Sequence, residues 1–210
     1  MPREISAYHR QVAADNRAAI LEAATELFLA LGYDRTSLAR VADGAGVSKA
    51  TLFKQFPTKA ELFEAMVLAA GDAPDSEPVE LPSGDLHAGL VSLGMAYAEL
   101  LTRPRMTDLI RAVITESARF PELREQTFNF GTLPVLKALR EFFTAANAQG
   151  TANVGDLDVA SAQFLGMIAT VVFWPRLVHG NWSLTDEETH HTVDEAAQTI
   201  LARYATGVAA

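Results

Sequence analysis

Two groups of residues in this 210-residue chain have types and spacings that could do chemistry. The first is the run Glu187-Glu188-Thr189-His190-His191, which contains Glu187-x-x-His190 and Glu188-x-x-His191. A carboxylate and an imidazole three residues apart share one face of a helix. In di-iron carboxylate bundles that pairing binds metal together with a second such motif on another helix. Here the second motif is missing, because His9, His87 and His179 have no Glu three residues before them. Thr185 and Glu188 also have the spacing of a capping box, and acids are favoured in the first turn of a helix. The run reads as a capped helix start with no metal. The second group is basic. Arg35, Arg40, Lys49, Lys54 and Lys59 face the single acid Asp43, a local net charge of +4 over residues 35–59. Such a run can neutralise phosphates. The bland competitor is a solvated helical hairpin whose lysines serve only solubility.

The elements that carry these groups are helices. Ile20, Ala23, Ala24, Leu27, Phe28 and Leu31 recur at helical spacing, with Asp15 or Asn16 as a cap and Gly32 as a stop. A short segment follows with Leu38, Val41, Ala42 and Ala45, for which Thr36 is the expected cap. Ser48 is expected to cap another short segment carrying Leu52, Phe53 and Phe56, which Pro57 ends. Thr58 and Glu61 then open a fourth helix containing Leu62, Phe63, Met66 and Val67. Residues 71–84 hold three prolines and four acids and read as a linker or long loop. Beyond it the pattern predicts helices over 86–101, 106–118, 122–148 (with a kink near Gly131 and Pro134), 158–178 and 185–206. No strand alternation or internal repeat is present. The fold class is all-α.

Thr36 to Phe56 has the grammar of a helix-turn-helix. Ala42 lets the two helices approach, Gly46 permits a left-handed turn, and Val47 pins it. The second helix is polar outward through Ser48, Lys49, Ala50, Thr51, Lys54 and Gln55, as an element lying in a DNA major groove must be. The ordered set A-A-x-x-L-F (Ala23–Phe28), G-Y (Gly32-Tyr33), T-S (Thr36-Ser37), Val41-Ala42, A-G-V-S-K (Ala45–Lys49), T-L-F from Thr51 and F-P-T-K (Phe56–Lys59) resembles the DNA-binding domain of TetR-family regulators over residues 16–67. The resemblance implies a homodimeric, ligand-responsive transcriptional regulator, usually a repressor, that binds double-stranded operator DNA and needs no cofactor. It implies a recognition helix over Ser48–Phe56, phosphate contacts from Thr36, Ser37 and Lys59, and base contacts from Lys49, Thr51 and Lys54. Ala50 stands where the family commonly has Gly, which allows a methyl contact. Phe53 stands where it commonly has Tyr; lacking the hydroxyl, it is expected on a sugar or a thymine methyl instead.

The expected organisation is a DNA-binding domain over 1–67, its core at about 16–67 behind a short N-terminal arm, and a helical ligand-sensing and dimerisation domain over 68–210. Ile110–Phe128 and Asp156–Gly166 look like the C-terminal domain of AefR-like repressors. A pocket for a small apolar effector is expected from Met106, Ile110, Phe128, Phe130, Phe164, Met167 and Trp174, each of which could equally be plain core. Helices 158–178 and 186–206, with small residues Ala160, Ala162, Gly166, Ala169, Ala196, Ala197 and Ala202, are expected to build an isologous four-helix dimer interface. Two rivals remain: control by a protein partner, and a helical-bundle enzyme. No P-loop, dinucleotide fingerprint, H-E-x-x-H or G-x-S-x-G is present. The absence of cysteine removes disulfide scaffolds, thiolate metal sites and thiol-based sensing. No apolar run reaches the length of a membrane span and the N-terminus has no signal-peptide core, so a cytoplasmic protein with no membrane partner is expected.

Overall fold

The computed structural model describes residues 7–71, 84–121 and 134–206. Among these the chain forms ten helices and one isolated bridge, Ala152 with Ala205, so the all-α expectation holds. The helices are α1 (Ala7–Arg35), α2 (Leu38–Gly44), α3 (Lys49–Gln55), α4 (Lys59–Gly71), α5 (Leu86–Thr102), α6 (Met106–Glu116), α7 (Pro134–Gln149), α8 (Leu157–Val172), α9 (Trp174–Val178) and α10 (Asp186–Tyr204). They group into two compact units, residues 1–70 with 108–128, and residues 71–107 with 129–210.

In the first unit, α1 begins eight residues before Asp15. Its first turns are exposed and carry no apolar stripe, so periodicity could not find them. Asp15 does not act as a cap there; its carboxylate accepts from Gln11 Nε2 at 2.9 Å, a pairing along the helix. Gly32 breaks the regular helix with φ 81°, where the sequence placed the stop. The apolar stripe of α1 supplies Ile20, Ala24 and Phe28 to a core shared with Val41 and Ala42 of α2, Leu52 and Phe56 around α3, and Leu62, Phe63 and Met66 of α4. Leu109 and Val113 of α6 enter the same core, although they lie beyond the expected domain boundary at residue 67. Phe28, Tyr33, Phe63 and Phe120 form an aromatic cluster, with ring centroids 5.2 Å apart for Phe28–Phe63, 5.4 Å for Tyr33–Phe63 and 4.7 Å for Tyr33–Phe120. Such pairs contribute about 0.5–1.5 kcal/mol each beyond the area they bury.

The second unit is organised around α5, which packs against α7, α8 and α10. Two glycines permit this. A Cβ on Gly89 would stand 2.3 Å from the Phe142 ring, and one on Gly94 would stand 2.6 Å from Val193 Cγ1. Phe164, Ile168 and Val172 of α8 and Val193, Ala196, Ala197 and Ile200 of α10 face inward. Asp156 caps α8 by accepting from the Asp158 and Val159 amides at 3.1 and 3.0 Å. The single helix expected over 158–178 is divided at Phe173, and Pro175 sits in the first turn of α9, where a missing amide costs nothing. Of the helix expected over 122–148, only the part from Pro134 lies within the described residues; Gly131 lies outside them, as do most of residues 71–84.

Candidate nucleic-acid interface

The turn between α2 and α3 closes as a Schellman motif. The Val47 amide donates to the Ala42 carbonyl at 3.0 Å, the Gly46 amide donates to the Asp43 carbonyl at 3.2 Å, and Gly46 takes the left-handed φ of 65° that this closure requires. Val47 packs on the core, as a residue pinning the turn should. Ser48 then caps α3: its Oγ accepts from the Thr51 amide at 3.0 Å. With Leu52 and Phe56 held in the core, α3 has no rotational freedom, and Lys49, Ala50, Phe53 and Lys54 are left exposed. The Lys49 and Lys54 ammonium groups have no partner among the described residues. Phe53 is 49% exposed, an aromatic ring in water beside two cations.

The surroundings of four residues expected to contact DNA, Thr36, Ser37, Thr51 and Lys59, differ from one another. Thr36 is 1% exposed, and its hydroxyl faces the carbonyls of Leu27 at 3.1 Å and Gly32 at 2.9 Å. It locks the end of α1 and is unavailable to a phosphate, and the cap of α2 is Ser37, whose Oγ accepts from the Arg40 amide at 3.2 Å. Ser37 is exposed, and capping uses only its lone pair, so its O–H can still donate. Thr51 is half-buried, with its hydroxyl 2.8 Å from Ser48 Oγ, so the two side chains act as one unit at the helix start. Lys59 stands at the start of α4 as expected, but its ammonium turns inward. It donates to the Tyr33 carbonyl at 2.8 Å and the Asp34 carbonyl at 3.4 Å, and lies 4.3 Å from the Tyr33 ring centroid. At the same helix start, the Glu61 carboxylate accepts from Thr58 Oγ1 at 2.9 Å, which sets a negative group where a phosphate would bind. We expect Lys59→Met to lower the melting temperature. We expect it to leave the slope of log affinity against log salt on DNA nearly unchanged; a slope smaller by about 0.9 would return Lys59 to the phosphate contacts.

One further cation was not singled out in the sequence: the Arg17 guanidinium lies 4.6 Å from the Phe56 ring centroid. Arg40, counted above in the local charge, reaches the Arg35 carbonyl with Nη1 at 3.5 Å. Arg17 lies in α1, far before α3 in the sequence, so only the tertiary packing brings it near.

In the second unit, the residues expected to line an effector site have diverse surroundings. Phe164 is fully buried beside Gly94, Met106 is buried and Ile110 of the first unit is half-buried. Met167 is half-buried on the outward side of α8, and Trp174 is 54% exposed. Phe128 and Phe130 lie outside the described residues. A groove of about 290 Å³ is lined by Lys137, Arg140, Glu141, Thr144 and Leu157 and contains none of the expected set. Its cations are already engaged, Lys137 with Glu141 at 3.8 Å and Arg140 with Asp158 at 3.2 Å.

The Glu-x-x-His run is a helix start. The Thr185 amide donates to Glu188 Oε2 at 2.8 Å, and the Glu188 amide donates to Thr185 Oγ1 at 3.2 Å. The bond from the Thr185 amide, helped by that from its hydroxyl, holds the Glu188 carboxyl below the usual carboxylate range. A depressed value in the folded state means the box stabilises above the ordinary carboxylate pKa and is lost as pH falls through the folded value. Thus Glu188→Gln should lower the melting temperature at pH 7 and converge with the parent toward pH 3. An equal deficit at both pH values would refute the assignment.

The geometry of the first unit is that of a helix-turn-helix with a solvent-facing second helix, and sequence comparison agrees. A family profile described as "Bacterial regulatory proteins, tetR family" matches residues 20–66. A second, described as "AefR-like transcriptional repressor, C-terminal domain", matches residues 88–206, more than half of the chain. The chain belongs to the TetR family. That family is one of DNA-binding transcriptional regulators and not of enzymes. Among curated relatives it is 33% identical over 104 residues to the Bacillus subtilis HTH-type regulator YvkB, covering 50% of this chain and 53% of YvkB. It is 33% identical over 120 residues to the DNA-binding transcriptional repressor TetR of Mycobacteroides abscessus, covering 56% of this chain and 62% of that repressor. The matches thus span about half to three-fifths of these relatives. The solved structure of the flavonoid-responsive regulator FrrA is similar over 92% of this chain and 98% of FrrA, with a TM-score of 0.75 and 27% identity. No helix among the described residues of this TetR-family chain is long and apolar enough to cross a membrane.

Proposed function

We propose that this TetR-family regulator is a homodimeric repressor. Each subunit lays α3 in a major groove, the two copies one helical turn of DNA apart, and releases the operator when a small apolar molecule binds the second unit. The observation that carries the DNA half is the outward face of α3, two unpaired ammonium groups flanking two apolar side chains. Ser37, Ser48 and Thr51 are the polar groups beside that face. The dimer is supported by the outward side of α8, where Val159, Ala162, Gly166, Met167 and Val171 are exposed or half-buried at i, i+3, i+4 spacing. The effector class is supported by the name of the FrrA relative and by the match to an AefR-like repressor domain. A site where DNA is read belongs in the cytoplasm.

The deciding experiment is selection of bound duplexes from a random pool. The expected product is a near-palindrome with half-site centres about 34–36 Å apart. A pool that returns no recurring sequence would reject the DNA reading of α3. A thermal-shift screen against aromatic and aliphatic compounds then tests the effector; if no compound both raises the melting temperature and releases the selected duplex, control by a protein partner becomes the reading to pursue.

A further inference from the structure

The core of the second unit holds two hydroxyls that the described residues leave unsatisfied. Ser161, on the inward face of α8, is fully buried, and its Oγ makes no hydrogen bond. A helical serine or threonine has an easy remedy, because its hydroxyl can donate to the carbonyl four residues earlier. Ser92, Thr102, Thr144 and Thr170 all take it, at 2.9, 3.0, 2.8 and 2.7 Å. Ser161 does not make the corresponding bond to Leu157. Tyr97 of α5 is 7% exposed, and its hydroxyl has no partner among the described residues either. Burial pushes the Tyr97 phenol up, so it stays a protonated donor.

Both residues belong to the contact between α5 and α8. A Cβ on Gly94 would stand 3.0 Å from Phe164 and 3.1 Å from Ile168. Tyr97 follows Gly94 by three residues and Ser161 precedes Phe164 by three, so each lies about 4.5 Å along its helix from that contact. A polar group buried without a partner costs the fold free energy, and a core made only for stability would carry alanine and phenylalanine at these positions.

The surroundings define what could satisfy them. A hydroxyl both donates and accepts, so it meets a hydroxyl or a carbonyl equally well. The other buried residues along these faces, among them Leu93, Ala98, Leu165 and Ile168, are apolar. Among the described residues of the second unit no charged side chain is buried. An ionised molecule would bring its charge into this core with nothing to pair it.

We infer that Tyr97 and Ser161 are the polar points of the effector site, and that the site takes a neutral molecule whose apolar body bears a hydroxyl or a carbonyl. This rests on the reading of the second unit as the one that binds the effector, and it narrows that effector to one chemical class held by two named groups.

The test titrates the full chain, by calorimetry, with 2-naphthol, naphthalene and 2-naphthoate. The three share one apolar body and carry a neutral hydroxyl, no polar group and a carboxylate. The naphthol should bind about fivefold more tightly than naphthalene, the factor that one net hydrogen bond between neutral groups supplies, and the naphthoate should not bind. Ser161→Ala and Tyr97→Phe should each melt no lower than the parent, because each removes a group that the fold leaves unpaired. In at least one of them the preference for the naphthol should vanish. Naphthalene or the naphthoate binding as tightly as the naphthol overturns the inference, as does a preference that survives in both variants. Both variants melting lower than the parent overturns it too, since the hydroxyls would then serve the fold through internal water. If none of the three compounds binds, the inference also falls, while the effector reading itself falls only when the wider screen yields no compound that releases the selected duplex.

Discussion

Replacing Lys49 and Lys54 together with Ala should reduce affinity for the selected operator by about two to four orders of magnitude, if each lysine makes a base contact worth roughly 1–3 kcal/mol. The two positions are five residues apart, about 7.5 Å along the helix, and share no partner among the described residues, so their effects should add. Folding should be untouched. Both side chains are exposed and unpaired, and Ala is the better helix former by a few tenths of a kcal/mol. Binding loss with an unchanged melting temperature therefore separates recognition from stability. The comparison with random DNA says what kind of contact was lost. A base contact costs more on the operator than on random sequence, whereas a phosphate contact costs both alike and lowers the salt slope by about 0.9 per lysine. If the double variant binds like the parent, the lysines serve only solubility and α3 is not the reading helix.

What could be read from the sequence was local chemistry. Gly46, Val47 and Ser48 define a turn and a cap within three residues, and the structure closes them through bonds no longer than 3.2 Å. The Thr185–Glu188 box is likewise decided by its own four residues. What could not be read was the destination of side chains whose partners are distant in sequence. Thr36 and Ser37 are adjacent hydroxyls, and nothing local says that the first is drawn beneath the Leu27 carbonyl nine residues away while the second becomes the cap. Lys59 has a long stem, and its ammonium is claimed by carbonyls at the end of α1 and by the ring of Tyr33, groups that only the tertiary fold assembles. The polar start of α1 was invisible because a helix without an apolar stripe leaves no periodic signal. Charge, by contrast, sorted itself by segment. Residues 1–70 hold as many acids as bases and the rest of the chain holds twice as many acids as bases, so the net charge of -9 lies outside the segment that carries α3. An acidic chain can read DNA when the helix it presents carries cations and no acid, as α3 does with Lys49 and Lys54, since screening leaves distant charges little influence at physiological ionic strength.

The small residues expected at the dimer interface show how a correct composition can conceal two roles. Ala160, Ala169, Ala196 and Ala197 are buried inside the subunit, where they let α8 and α10 approach their own neighbours. Ala162, Gly166 and Ala202 face outward. Gly166 is the informative one. A Cβ added there meets nothing within 4 Å, so the subunit itself gives no reason for a glycine on the exposed side of this helix. Replacing it by another residue should in fact strengthen α8, because glycine costs about 1 kcal/mol relative to alanine in a helix interior. If α8 packs on its copy across a two-fold axis, an arginine at this position meets its own counterpart and drives two charges into an apolar contact. Gly166→Arg should therefore yield a monomer that melts no lower at the level of the subunit fold. That monomer should bind a single half-site normally and lose about two to four orders of magnitude on the full palindrome, the range that bivalence supplies. Sedimentation against concentration reads the first effect and titration of whole and half operators reads the second. A Gly166→Arg protein that remains dimeric with full operator affinity would remove α8 from the interface, and the exposed apolar side of this helix would then need a different partner.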